Sequence, residues 1–197
     1  MRLLAALLLH GVLSVCDSAS PPVETPEVLT NEGEAFEHWS GLTKPKSEVV
    51  FPPTVVIVIL VRNKAHALPN FLAFIDLLNY PKDRISLFIR SDHNVDNSTS
   101  ILREWLNNVV GFYDKTNVFF NDTQDGYVGE DLMTAWPNKR MATLMRLRQE
   151  SLDYARSVWA DYVFFVDADN LLENPDVLIR LMRYEKNVVA PMLISHT

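Results

Sequence analysis

Asp167 and Asp169 stand one residue apart at the end of the run Tyr162-Val163-Phe164-Phe165-Val166. The run is short and rich in aromatic and β-branched residues, so it reads as a buried strand rather than a helix. Acid groups at the end of a buried strand need a partner, because an unpaired buried charge is costly. A hard divalent cation such as Mn2+ or Mg2+ is one such partner, with phosphate oxygens and water completing its shell. If the strand keeps its extended path past Val166, both carboxylates face one side of the sheet. They could then share a metal that holds a diphosphate leaving group and stabilises its growing charge. The alternative is a pair of solvated loop acids, with Asn170 or Asn174 capping the next helix. Chance supplies Asp-x-Asp in an acidic chain, so the place of the tripeptide after an apolar strand carries most of its weight.

Other polar residues could join them. Asp92 could accept hydrogen bonds from a ribose or a base; it also suits a turn in Asp92-His93-Asn94-Val95-Asp96-Asn97. His93 has no spaced partner and reads as a loop histidine rather than a zinc ligand. Arg148 falls on a helical apolar stripe between Met145 and Leu152. Its guanidinium could reach a diphosphate, or its stem could snorkel to the helix edge.

The elements that would position these groups alternate in type. Val55–Val61 is a continuous apolar run, the mark of a strand buried on both faces of a parallel sheet. A helix follows, with Leu68, Phe71, Leu72, Ile75 and Leu78 on one face, Pro69 in its first turn and Tyr80-Pro81 stopping it. Ile85–Arg90 reads as the second strand. The next helix turns Ile101, Leu102, Trp105, Leu106 and Val109 inward and stops at Gly111. Val118–Phe120 is a short third strand, and 121–137 is a polar loop. A long helix spans about Lys139 to Trp159, with Met141, Leu144, Met145, Leu152, Ala155 and Trp159 as its stripe. After the Tyr162 strand, Asn174-Pro175-Asp176 starts a short helix and Val188–Met192 forms a last strand. This alternation predicts an α/β fold with a parallel sheet covered by helices. Ligands in such sheets bind outside the carboxyl ends of the strands. That edge would gather Arg62 and Asn63, Asp92 and His93, and Asp167, Asp169 and Asn170.

The chain has 197 residues and a net charge of −7, enough for one domain with a sizeable core. It lacks the basic face of a nucleic-acid binder. Arg2 followed by the apolar stretch Leu3–Val15 and small residues reads as a signal peptide over 1–20, cleaved rather than kept as a membrane anchor. The stretch is short of the roughly 20 residues that span a bilayer, so no stable membrane insertion is expected. Cys16 is the one cysteine and lies in that segment, so the domain rests on its core rather than on a disulfide. Residues 21–53, rich in proline and poor in apolar content, read as a flexible linker. Asn97-Ser98-Thr99 and Asn121-Asp122-Thr123 are glycosylation sequons, in keeping with a secretory route.

Several segments in register resemble the procollagen galactosyltransferases of glycosyltransferase family 25. They are Ala65-His66-Ala67-Leu68-Pro69, Ser91–Asn97, Leu102–Leu106, Leu147-Arg148-Gln149, Ala155-Arg156, Trp159–Leu171 and Val188–Leu193. The resemblance covers about residues 54 to 195. It implies a GT-A-like nucleotide-diphospho-sugar transferase fold over 54–197, here its N-terminal nucleotide-binding half. It further implies a UDP-sugar donor, Mn2+ as cofactor and transfer of galactose to hydroxylysine of collagen in the endoplasmic reticulum lumen. On this chain Asp169 would contact the metal, Asp167 the ribose or the metal shell, and the ends of the first two strands, with Asp92, would cradle the uridine. Members of the family are considerably longer, with a second transferase-like domain. The acceptor half, the catalytic base and a third metal ligand are therefore expected beyond Thr197; His196 is a poor substitute, and no catalytic residue is assigned. A competing reading is an inactive, cell-adhesion-type homologue of the same family. A phosphatase with a strand-end aspartate nucleophile would need a continuation that Asp167-Ala168-Asp169-Asn170-Leu171 lacks.

Overall fold

The computed structural model describes residues 1–6, 51–121, 123, 127–129 and 136–191. All of these but Phe51 belong to one compact unit of the chain. The strands are β1 (Arg2–Ala6), β2 (Val55–Val61), β3 (Ile85–Ser91), β4 (Lys115–Phe120), β5 (Tyr162–Asp167) and β6 (Val188–Val189). The helices are α1 (Leu68–Leu77), α2 (Ser98–Val109), α3 (Asn138–Ser157) and α4 (Val177–Met182). The strands form one sheet in the order β4-β3-β2-β5-β1-β6, and all its pairs are parallel. The α/β parallel-sheet class expected from the alternation is the one observed.

The continuous apolar run of β2 serves two cores, because side chains alternate across a strand. Val55, Ile57, Ile59 and Val61 pack with Leu68, Phe71 and Ile75 of α1, Leu102 of α2 and Leu178 of α4. Val56 and Val58 pack on the other face with Phe88, Val163 and Ala155 of α3. β5 splits the same way: Phe164 and Val166 join the first core, Val163 and Phe165 the second. Helices thus cover both faces, which is what a strand with no polar alternation requires.

Three local expectations need correction. The buried stripe of α3 is Leu147, Ser151 and Ala155, whereas Met141 and Met145 are exposed. Ser151 can sit fully buried because its hydroxyl donates to the Arg148 carbonyl at 2.6 Å. A stripe drawn through apolar residues alone passes over such a serine. Trp159 lies outside α3 and is 89% exposed. It holds φ at 58° while Ala160 N–H donates to Ala155 O and Trp159 N–H to Arg156 O. That bonding pattern is a Schellman stop, in which the left-handed position is usually glycine. Gly111 falls instead in a single 3-10 turn, Val110–Phe112, after α2 has ended at Val109.

The N-terminal segment also has a place in the sheet. Arg2–Ala6 lies between β5 and β6, with Arg2 opposite Tyr162 and Leu3 opposite Val188. A short apolar segment with free main-chain groups satisfies the polar edges on both sides of that slot. The rest of the expected signal segment, Cys16, the linker up to residue 50, Asp122, Met192 at the end of the expected last strand, and His196 lie outside the described residues; β6 itself is Val188–Val189.

Candidate functional site

The carboxyl ends of β2, β3, β4 and β5 reach one edge of the sheet in step. Leu60 pairs with Asp167, Val61 with Ser91, and Ser91 with Phe120. Each strand hands over to polar residues at that level, and side-chain bonds tie the β2 and β3 loops together. The Arg62 guanidinium donates to the His93 carbonyl at 2.8 Å and to that of Asp92 at 3.4 Å. Asn63 N–H donates to Asn94 Oδ1 at 2.7 Å, and Asn63 Oδ1 accepts from Val95 N–H at 2.8 Å. Ala65 N–H donates to Asp96 Oδ2 at 2.9 Å. Asn63 and His93 both take left-handed backbone conformations, φ 50° and 49°. Asparagine and histidine tolerate that region better than β-branched residues do, so the loop sequences fit their turns.

Asp92 is the hub of this edge. Its Oδ2 accepts from the Tyr127 hydroxyl at 2.8 Å and its Oδ1 from Asn121 Nδ2 at 2.9 Å; His93 Nδ1 lies 2.5 Å from Oδ1. Burial pushes the Asp92 carboxyl up, but the Tyr127, Asn121 and His93 hydrogen bonds outweigh it and hold it below the usual carboxylate value. The Tyr127 ring stacks on His93, centroids 4.6 Å apart, and the Arg62 guanidinium lies 4.7 Å from the centroid of the same ring. Asp92 is therefore more than a turn residue: its carboxylate is fixed in direction by three side chains from separate segments. Below it, buried Asn94 donates to Ser91 Oγ at 2.7 Å, and Ser91 and Thr99 hydroxyls lie 3.1 Å apart.

At the end of β5 the strand does not continue straight. Asn170 N–H donates to the Asp167 carbonyl, closing a turn over Asp167–Asn170. Asp169 accordingly stands in the turn, where it faces β2: Lys64 Nζ lies 2.5 Å from Asp169 Oδ2. The Asp169 side chain is only 12% exposed, so this carboxylate already holds a cation in a shielded place. Asn170 is fully buried, and neither side-chain polar atom has a partner among the described residues. Arg148 is half-buried on α3.

Two hard carboxylate donors with a cation already seated on one of them fit a divalent metal in charge and donor type. Among the described residues no cluster of three or more His, Cys, Asp or Glu completes a protein-only shell. Water and phosphate oxygens would supply the remainder.

Of the sequence candidates, Arg62, Asn63 and Asp92 come together. Asp167 and Asp169 sit at the neighbouring strand end. The two sequon asparagines have different settings. Asn97 is exposed just before α2. Asn121 is half-buried, its nitrogen on Asp92 and its Oδ1 accepting from the Thr123 hydroxyl at 2.7 Å. Sequence reasoning missed Tyr127 and Lys64. Tyr127 lies in a polar stretch with no periodicity to mark it. Lys64 did leave a signal: Arg62 and Lys64 place two cations at a strand end that must lie beside the Asp167–Asp169 end.

Residues 52–197 match the family model described as glycosyltransferase family 25, N-terminal domain. Procollagen galactosyltransferase 1 of Danio rerio is 48% identical over 159 residues, which are 81% of this chain and 26% of that protein. Procollagen galactosyltransferase 2 of Homo sapiens is 45% identical over 153 residues, 75% of this chain and 24% of that protein. The chain thus spans about a quarter of the length of these curated relatives. Among solved structures, mannosyltransferase PcManGT from Pyrobaculum calidifontis, in complex with GDP-Man and Mn2+, is 17% identical with a TM-score of 0.47. That likeness covers 68% of this chain and 32% of the other. With a family match that takes in five of the six strands, all but β1, this chain belongs to glycosyltransferase family 25.

Proposed function

We propose that this edge of the sheet is the donor side of a metal-dependent UDP-sugar transferase. The reaction is transfer of galactose from UDP-galactose to hydroxylysine of collagen or a collagen-like acceptor. The observation that carries this reading is the placing of Asp167 and Asp169 at the end of β5, beside the loop ends of β2 and β3. Asp167 and Asp169 would hold Mn2+, which when bound neutralises the departing diphosphate. The chain's own groups do the rest. The β2 and β3 loops, with Arg62, Asn63 and the rigidly held Asp92, form the wall against which a uridine is oriented. A ribose hydroxyl donating to Asp92 meets a carboxylate of fixed direction, which favours it over water. Arg148 would add a guanidinium for the phosphates from the α3 side. Galactose and procollagen are named for relatives of the same family; UDP as the carrier and hydroxylysine as the accepting side chain are part of the proposal.

The same reading places the protein in the secretory pathway, in the endoplasmic reticulum lumen, with residues 1–20 as a targeting segment and Asn97 and Asn121 as acceptors of glycans. No helix among the described residues is long and apolar enough to cross a membrane.

Calorimetric titration with UDP, with and without Mn2+, tests the site. Metal-dependent binding that disappears in Asp169→Ala supports it. Equal thermal stability of the two proteins with no UDP binding in either would sink it.

A further inference from the structure

Lys64 has no task in the reading above, yet it is one of the most firmly rooted residues of the edge. Its N–H donates to Ser98 Oγ at 2.8 Å, and its carbonyl accepts from Ala67 and Leu68 N–H, both at 2.9 Å. The side chain therefore works from a fixed base. Its ammonium meets Asp169 with the two side chains only 25% and 12% exposed. In so shielded a place a lone carboxylate costs far more than at the surface, and the lysine removes that cost.

We propose that Lys64 is the resident counter-ion of Asp169, a built-in cation that holds the carboxylate until a divalent metal takes it. This rests on the reading of Asp169 as a metal ligand. Asp167 and Asp169 bring two formal negative charges and Lys64 one positive charge. A divalent metal arriving alone must displace the ammonium or sit beside it, and like charges at that range repel. A metal arriving with a nucleoside diphosphate brings phosphate oxygens onto which the displaced ammonium can move. Lys64 thus weakens the binding of the bare metal and strengthens the binding of metal and diphosphate together. It is a positioning residue that couples the two ligands, and such coupling is reciprocal.

The test uses the whole chain and two probes: Mn2+ alone, followed by the solution EPR signal of the free ion, and UDP, followed by calorimetry with and without Mn2+. In Lys64→Met, Mn2+ alone should bind about tenfold more tightly, and the factor by which Mn2+ improves UDP binding should shrink by a similar amount. Lys64→Arg, which keeps the charge, should restore much of the coupling. Circular dichroism on each variant guards against misfolding. If Asp169→Asn abolishes Mn2+ binding while Lys64→Met leaves both the Mn2+ affinity and the coupling unchanged, the counter-ion role is wrong and the metal site stands. If Asp169→Asn binds Mn2+ as the parent does, the metal reading fails and takes the counter-ion with it.

Discussion

Tyr127→Phe is the sharpest probe of how the edge is held. The substitution deletes one hydroxyl and keeps the ring, so the stack on His93 and the Arg62 contact survive. What is lost is the 2.8 Å donor to Asp92 Oδ2, a hydrogen bond to a charged group with the aspartate side chain 18% exposed, together with the hydroxyl's bond to Thr143. Such bonds contribute about 1.5–3 kcal/mol, and partial exposure places this one near the lower end. At neutral pH the variant should lose roughly that much stability in urea unfolding, with a melting point lower by about 2–4 °C for each kcal/mol. The pH dependence gives a second check. Asp92 titrates below its ordinary value of 3.8, so the stability it contributes is present above that value. That contribution is lost as pH falls through the folded-state pKa. Removing a donor lets the folded pKa rise towards the ordinary value. The gap between Tyr127→Phe and the parent should therefore be full at neutral pH and narrow in acid. A gap that is absent at neutral pH, or unchanged in acid, would show that the hydroxyl does not hold the carboxylate.

Three further outcomes follow from the same structure. Trp159→Gly should stabilise the protein by about 1 kcal/mol, because it relieves a left-handed residue whose ring packs on little; thermal unfolding measures this. Tyr80 donates to the Pro53 carbonyl at 2.5 Å, and burial pushes its phenol up to about 12. Its raised folded pKa means that stability is intact below pH 10 and lost as pH rises towards 12, and Tyr80→Phe should flatten that part of the alkaline unfolding curve. Phe164→Ala should cost about 3–5 kcal/mol by emptying a fully buried position of β5, read from the urea midpoint.

Much of this fold was legible because its central strands β2 and β5 are almost wholly apolar and its helices are mostly one-sided. Val55–Val61 and Leu68–Leu78 needed no structure to interpret. The α3 stripe failed because burial there follows an i, i+4 row that includes Ser151, and side-chain-to-backbone bonding is invisible in a hydropathy pattern. The turn after β5 also departs from extension: Asp169 reaches Lys64 of β2's loop rather than continuing the alternation of the strand. The edge itself could be inferred from topology, so Asp92, Arg62 and Asn63 were found. Its cross-braces could not. Tyr127, Asn94 and Asn121 act through contacts between segments far apart in sequence, and nothing local marks them.

The position of β1 bears on the order in which the chain is made. β2, β3 and β4 follow one another and can pair as each appears, but Arg2–Ala6 pairs with Tyr162–Val166 and Val188–Val189. At ordinary synthesis rates the first residues wait roughly ten to thirty seconds for those partners to emerge. During that interval Leu3 and Leu4 have no competitor within the protein for any factor that binds short apolar segments. The sheet can therefore gain its N-terminal strand only once β5 and β6 have emerged, so the slot between them is closed by the segment made first.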